Sequence, residues 1–138
     1  MPMSRPLSVI EPSRLRFVPP SFAWIDRRLR EHGLLAELNA DEIALYVFLV
    51  LAADREGLSC WRIDRMEREL PLSSAEIVRA RRGLADRSLI AFRPWSARSV
   101  DGSYQVLSIE TRATLAARRG GIKTMSDVLD EDIPAKRR

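Results

Sequence analysis

The apolar run Ile43–Ala53, "IALYVFLVLAA", constrains the fold more than any other part of the sequence. Asn39 and Glu42 precede it with the spacing of a helix capping box, and Gly57 is the predicted helix end. The run is well short of the roughly 20 residues that span a bilayer. A helix that is apolar around most of its circumference must be covered on several sides, either by the other helices of the chain or by a second copy of it. We therefore predict a buried helix without a membrane span, and a homodimer stays open.

The composition indicates one soluble domain with a basic balance. The chain has 138 residues, of which 46% are hydrophobic and 30% charged. This is typical of a globular protein with a single core rather than of a disordered one. The net charge of +4 favours a polyanionic partner such as nucleic acid, although charge alone also serves solubility. The N-terminus lacks the pattern of a secretion signal, so we expect a cytoplasmic protein.

Several kinds of chemistry are excluded by the residues available. The chain has one cysteine, Cys60, and one histidine, His32, which exclude an internal disulfide and a metal centre with the usual ligands. It contains neither a glycine-rich phosphate loop nor a nucleophile elbow. The acidic pair Asp41 and Glu42 is explained by the positive end of a helix. We therefore predict no enzyme activity, no metal and no small-molecule cofactor.

Three regions are expected along the chain. Residues 1–20 contain five of the eight prolines, which predicts an extended arm. Residues 21–110 contain the helical and strand patterns and form the predicted domain. Residues 111–138 predict one short helix followed by a flexible polar tail, since Gly120 and Gly121 interrupt the pattern.

The domain is predicted to open with an amphipathic helix in "SFAWIDRRLREHG". Ser21 is its candidate cap and Gly33 its candidate stop. Phe22, Ile25 and Leu29 recur at helical spacing, so they are expected on one face that packs on the core.

The best-specified helix start lies in "LPLSSAEIVRARRGL". Ser73 and Glu76 have the spacing of a capping box, and Leu72 and Ile77 that of a hydrophobic staple. A short amphipathic helix in "SCWRIDRMEREL" precedes it. Two segments rich in β-branched and aromatic residues, "SLIAFR" and "SYQVLSIE", follow it and predict a hairpin with a long tip.

This order of short helix, turn, capped helix and hairpin resembles the winged helix-turn-helix superfamily. The residues that carry the resemblance are Ile63, Met66, Leu70, Leu72–Ser73, Ile77, Leu84 and Leu89–Ile90. It covers roughly residues 38–110 and implies a mainly α fold with a small β-hairpin wing. Pro71 departs from the pattern, because glycine is frequent at that point of the turn.

The resemblance implies binding to double-stranded DNA. Ser74–Asp86 would be the recognition helix in the major groove, and Arg93–Tyr104 the wing. The candidate contact residues are Ser74, Ala75, Val78, Arg79, Arg82, Arg93 and Arg98. Such a protein would be a transcriptional regulator or, because a helix at Ser21–His32 precedes the domain, the DNA-recognition module of a plasmid or phage replication initiator.

Two alternatives stay open from the residues alone. The arginines of the capped helix are also explained as an ordinary solvated helix face. In that case the same fold is an interaction module without DNA binding, which docks a protein partner through the apolar helix Ile43–Ala53 or through the arm and tail.

Glu67 and Arg81 also depart from the superfamily pattern. The positions face one another in the packing that the resemblance implies, so we predict a partly buried ion pair between them. The alternative is that Arg81 extends outward and adds to the basic face. Arg87, just after the helix, is expected to be a structural or phosphate-facing charge.

Overall fold

The computed structural model describes residues 6–110, in which helices and a small sheet share one core. The elements, after a 3-10 turn at Pro12–Arg14, are α1 (Arg28–Glu31), α2 (Leu34–Glu37), α3 (Ala40–Ala52), β1 (Leu58–Trp61), α4 (Ile63–Glu69), α5 (Ser74–Asp86), β2 (Ile90–Pro94) and β3 (Gly102–Val106). The helix and tail predicted within residues 111–138 lie outside the described residues.

The sheet is antiparallel with the strand order β1-β3-β2. Strands β2 and β3 form the predicted hairpin, with Phe92 opposite Tyr104. Strand β1 pairs with the other edge of β3, where Trp61 lies opposite Gly102. The hairpin is confirmed, but the third strand was not predicted. The described fold is therefore mixed α/β rather than helices with a two-stranded hairpin.

The apolar helix α3 begins as predicted and ends earlier than predicted. The Asn39 side chain accepts a hydrogen bond from the Glu42 amide, and Glu42 Oε1 accepts one from the Asn39 amide, at 2.8 and 2.9 Å. The helix stops at Ala52. Gly57 instead has a φ of 89° in the turn before β1, and its carbonyl accepts a hydrogen bond from the Val106 amide.

Helix α3 is covered within a single chain except at Val47 and Leu51, which are exposed. Leu45 and Leu49 have no exposed surface, and the Phe48 ring lies 4.7 Å from the Trp61 ring of β1, centroid to centroid. Its contacts run to α5 on one side and to the sheet on another. A second copy is therefore not required to bury the sides of this helix that face α5 and the sheet.

The helix predicted from Ser21 to Gly33 does not form as one unit. Residues 22–26 are neither helix nor strand, and Gly33, with a φ of 79°, separates the two short helices α1 and α2. Of the predicted apolar face only Leu29 is buried, whereas Phe22 and Ile25 are exposed. Short helices depend on packing of an apolar face, which these two side chains lack. The extended arm therefore continues about as far as residue 26.

Helix α5 is tied to α3 through a buried carboxylate. Glu42 Oε2 accepts a hydrogen bond of 3.3 Å from Arg87, which also donates to the carbonyl groups of Gly83 and Glu37. A Cβ atom at Gly83 would overlap the Glu42 carboxylate. Arg87 is therefore a structural charge, and the phosphate-facing interpretation of it was wrong.

We expect Gly83→Ala to lower the free energy of unfolding by about 1–2 kcal/mol, because the Glu42 carboxylate must move and give up its bonds. In an ordinary helix the same change would stabilise by about 1 kcal/mol. Urea unfolding followed by circular dichroism measures the effect. The matched control is Gly83→Ala in a Glu42→Ala background, where it should be neutral or stabilising. Equal losses in both backgrounds would contradict the proposed contact.

Candidate nucleic-acid interface

Helix α5 begins and ends where the sequence predicts. Ser73 Oγ accepts a hydrogen bond from the Glu76 amide at 3.2 Å, and Glu76 Oε1 accepts one from the Ser73 amide at 2.8 Å. Leu72 and Ile77 are both buried, as expected of a hydrophobic staple. The capping box and the bounds Ser74–Asp86 are therefore confirmed.

The two faces of α5 differ sharply in burial. The inward face is buried in the core and consists of Ile77, Ala80 and Leu84. The opposite face is exposed, and we call its residues the outward stripe: Ala75, Arg79, Arg82 and Asp86. Spacings of three and four residues place the outward residues on one side of the helix. Within residues 6–110, neither Arg79 nor Arg82 has a hydrogen-bond or ion-pair partner. The stripe therefore presents two uncompensated guanidinium groups, one turn apart.

Val78 does not belong to this stripe. It was predicted to face outward, but its side chain is partly buried and packs against the core cluster. At the observed helix orientation Val78 lies on the flank between the buried and exposed faces. Of the two small apolar candidates, only Ala75 is on the outward stripe.

The predicted ion pair between Glu67 and Arg81 is wrong. Arg81 Nη1 donates hydrogen bonds to the Val100 carbonyl at 2.9 Å and to the Tyr104 hydroxyl at 3.0 Å. The Arg81 guanidinium carbon lies 3.8 Å from the centroid of the Phe92 ring. This geometry combines charge-assisted hydrogen bonds with a cation–π contact. Arg81 therefore joins α5 to the hairpin and does not extend into solvent.

Glu67 instead holds the start of α5. Its Oε2 accepts a hydrogen bond of 2.7 Å from the Ser74 amide. The Ser73 amide is similarly taken by Glu76. A phosphate at a helix N-terminus needs free amide groups and is repelled by carboxylates. The Ser74 hydroxyl is exposed, but the Ser74 amide is not available to a phosphate in this arrangement.

The loop of the hairpin, residues 95–101, is fixed at its base. The Trp95 amide donates to the Asp101 carbonyl at 3.0 Å, and the Asp101 amide donates to Ser99 Oγ at 2.9 Å. Asp101 Oδ1 in turn accepts a hydrogen bond of 2.7 Å from the Ile63 amide, at the first residue of α4. The loop is thus oriented relative to α4 through Asp101 and relative to α5 through the bond between Val100 and Arg81.

The two candidate arginines of the hairpin, Arg93 and Arg98, are both exposed. Arg98 is exposed in the loop, close in sequence to Val100, whose carbonyl contacts α5. Arg93 is also exposed, but its neighbour Phe92 faces α5, and successive side chains of a strand point to opposite faces of the sheet. Arg93 therefore points away from α5, whereas Arg98 belongs to the loop whose Val100 carbonyl is bound by Arg81 of α5.

Tyr104 and Phe92 were missed as determinants of this arrangement. Tyr104 is buried, and its hydroxyl donates to Met66 Sδ of α4 at 3.6 Å while it accepts from Arg81. Burial raises the pKa of Tyr104, and the nearby Arg81 opposes that rise. The two aromatic rings lie 4.9 Å apart on the inner face of the sheet. The sequence pattern that could have predicted this cluster is the alternation that places both aromatic residues on one face of the hairpin, together with an arginine on the flank of α5.

Neither a metal site nor a similar known protein indicates the function of the described residues. Among residues 6–110 there is no group of three or more His, Cys, Asp or Glu residues placed to hold a metal ion. The same residues include no helix of the length and apolarity needed to cross a membrane. Comparison with protein-family models, curated proteins and solved structures gave no match. Geometry and charge at α5 and the hairpin are therefore the basis for assigning a function.

We expect Arg81→Ala and Tyr104→Phe to be coupled, because each removes an end of the same hydrogen bond. A double-mutant cycle by urea unfolding should give an interaction energy of about 0.5–3 kcal/mol. The control pair, Arg81→Ala with Glu67→Gln, should be additive within about 0.5 kcal/mol. Arg81→Lys should not restore stability, since an ammonium group lacks the planar fork that stacks on Phe92. Strong coupling between residues 67 and 81 would count against the observed contacts.

Proposed function

We propose that this protein binds double-stranded DNA as a winged helix-turn-helix transcriptional regulator. Helix α5 would enter the major groove, and the β2–β3 hairpin would be the wing. The observation that carries the proposal is the contrast among the arginines in and next to α5. Arg81 and Arg87 are held by internal contacts, whereas Arg79 and Arg82 are exposed and have no partner within residues 6–110.

The outward stripe is chemically suited to the edges of base pairs. Arg79 and Arg82 each carry a planar fork of donors that matches the O6 and N7 acceptors of guanine, or a phosphate. The small side chain of Ala75 lets the helix approach closely and can contact a thymine methyl. Asp86 at the other end of the stripe repels phosphates, so contact would centre on the N-terminal part of α5.

The hairpin would add affinity with little sequence preference. Arg98 is exposed in the loop whose Val100 carbonyl is bound by Arg81 of α5, and it would neutralise a phosphate near the groove that α5 occupies. Arg93 points to the other side of the sheet and would contribute less. Arg81 acts as a positioning residue, because it fixes the distance between the helix and the loop.

Regulation of transcription is favoured over replication initiation. The initiator reading depended on a helix at Ser21–His32 ahead of the domain. In the structure that region contains only α1, which begins at Arg28, and is otherwise extended. The helices and hairpin that suit DNA recognition are unaffected by this difference.

We expect Arg79→Ala and Arg82→Ala each to weaken binding to a duplex selected from a random library by about 1–3 kcal/mol, or roughly 5- to 150-fold. Both side chains are exposed, so the fold should be retained. Arg98→Ala should weaken selected and random duplexes alike, and Arg93→Ala should weaken them less. Arg55→Ala removes the same charge from an exposed turn and is the matched control. If the variants at residues 55, 79 and 82 lose equal affinity for the duplex, the loss reflects overall charge and not the position of Arg79 and Arg82 on α5.

A salt titration separates this proposal from an interaction module without DNA binding. If three arginines neutralise phosphates, affinity for a random duplex should fall roughly 40-fold between about 50 and about 200 mM salt. Fluorescence anisotropy of a labelled duplex measures it. An absence of binding even at low salt would favour the interaction module, whose support is the exposed apolar arm.

A further inference from the structure

The amide groups at the start of α5 are bonded to side chains of the chain itself. Glu67 Oε2 of α4 accepts a hydrogen bond from the Ser74 amide at 2.7 Å, and Glu76 Oε1 accepts one from the Ser73 amide at 2.8 Å. The Glu76 amide donates in turn to Ser73 Oγ at 3.2 Å. Three of the four amides that a helix leaves without a helical partner at its start are therefore occupied.

Of the two carboxylates at this point, only one is explained by the helix start. Glu76 belongs to the capping box of α5. Glu67 comes from another helix and is not part of the box. Ser74 is exposed, so water would satisfy its amide if Glu67 were absent. Glu67 therefore adds a second carboxylate where the capping box already supplies one.

No arginine neutralises these carboxylates. Among residues 6–110, neither Glu67 nor Glu76 takes part in an ion pair. A carboxylate at the positive end of a helix stabilises the helix, and two of them repel a further anion. The start of α5 is therefore closed to a phosphate by hydrogen bonding and by charge.

We propose that Glu67 is a specificity-determining residue, which excludes a DNA phosphate from the start of α5. The inference rests on the proposed function. Phosphate contacts supply most of the affinity for random duplex and carry no sequence information. A helix start with free amides is a ready phosphate site. By closing that site, Glu67 keeps the affinity for random duplex low and leaves recognition to Arg79 and Arg82.

The charges along α5 fit this role. Carboxylates of Glu67 and Glu76 lie at its start and that of Asp86 at its last residue, with the unpaired arginines Arg79 and Arg82 between them. Arg79 and Arg82 are roughly 7.5 and 12 Å further along the helix axis than Ser74. A duplex that offers guanine edges to both arginines holds α5 in one position in the groove. A random duplex is not held in this way, so its backbone would shift to the helix start if that site were open.

The variant Glu67→Gln tests the inference, because it removes the charge and keeps an oxygen that accepts from the Ser74 amide. We expect its affinity for random duplex to rise about 3- to 10-fold and its affinity for a selected duplex to rise less than about twofold. The slope of log affinity against log salt should become steeper by about 0.9, the effect of one additional phosphate contact. Fluorescence anisotropy of labelled duplexes measures both quantities, and circular dichroism checks the fold.

Two further variants separate position from overall charge. Glu56→Gln removes an exposed carboxylate from the turn before β1 and is the matched control, which should raise both affinities by the same small factor. Glu76→Gln removes the other carboxylate at the start of α5, and glutamine preserves the capping box. It should lower the ratio of selected to random affinity, as Glu67→Gln does.

The outcomes distinguish this inference from the proposed function. An unchanged affinity of Glu67→Gln for random duplex, the same gain from Glu56→Gln, or an equal gain on selected and random duplexes would overturn the role of Glu67 and leave DNA binding intact. A wild-type protein that binds no duplex at low salt would overturn the proposed function, and this inference with it.

Discussion

The position of α5 relative to the hairpin depends on Arg81. Its half-buried guanidinium replaces lost hydration with the Val100 carbonyl, the Tyr104 hydroxyl and the face of Phe92. Removing a charged group from water is costly unless such partners compensate it. Here the partners come from both strands of the hairpin and the loop between them, so one side chain orients all three. Because Tyr104 also contacts Met66 of α4, the same cluster joins both helices to the sheet.

The other flank of α5 is held by a negatively charged side chain, Glu42 of α3. Glu42, which caps α3, is bound by Arg87 just beyond the C-terminus of α5, and the missing side chain of Gly83 gives its carboxylate room. At the N-terminus, the Ser74 amide is bound by Glu67 of α4. The helix is thus fixed at both ends and on both flanks. The side that none of these contacts uses is the outward stripe, and the proposed recognition of a duplex would require such a rigid stripe.

Features set by local interactions could be predicted from the sequence, whereas features set by distant partners could not. The capping boxes and the bounds of α5 depend on residues three or four apart, and both were found. Strand β1 forms because β3 offers it an edge, and its few residues carry no pattern of their own. The helix predicted at residues 21–33 lacked a surface for Phe22 and Ile25. The ion pair predicted between Glu67 and Arg81 does not form, because Glu67 binds the Ser74 amide and Arg81 binds the hairpin.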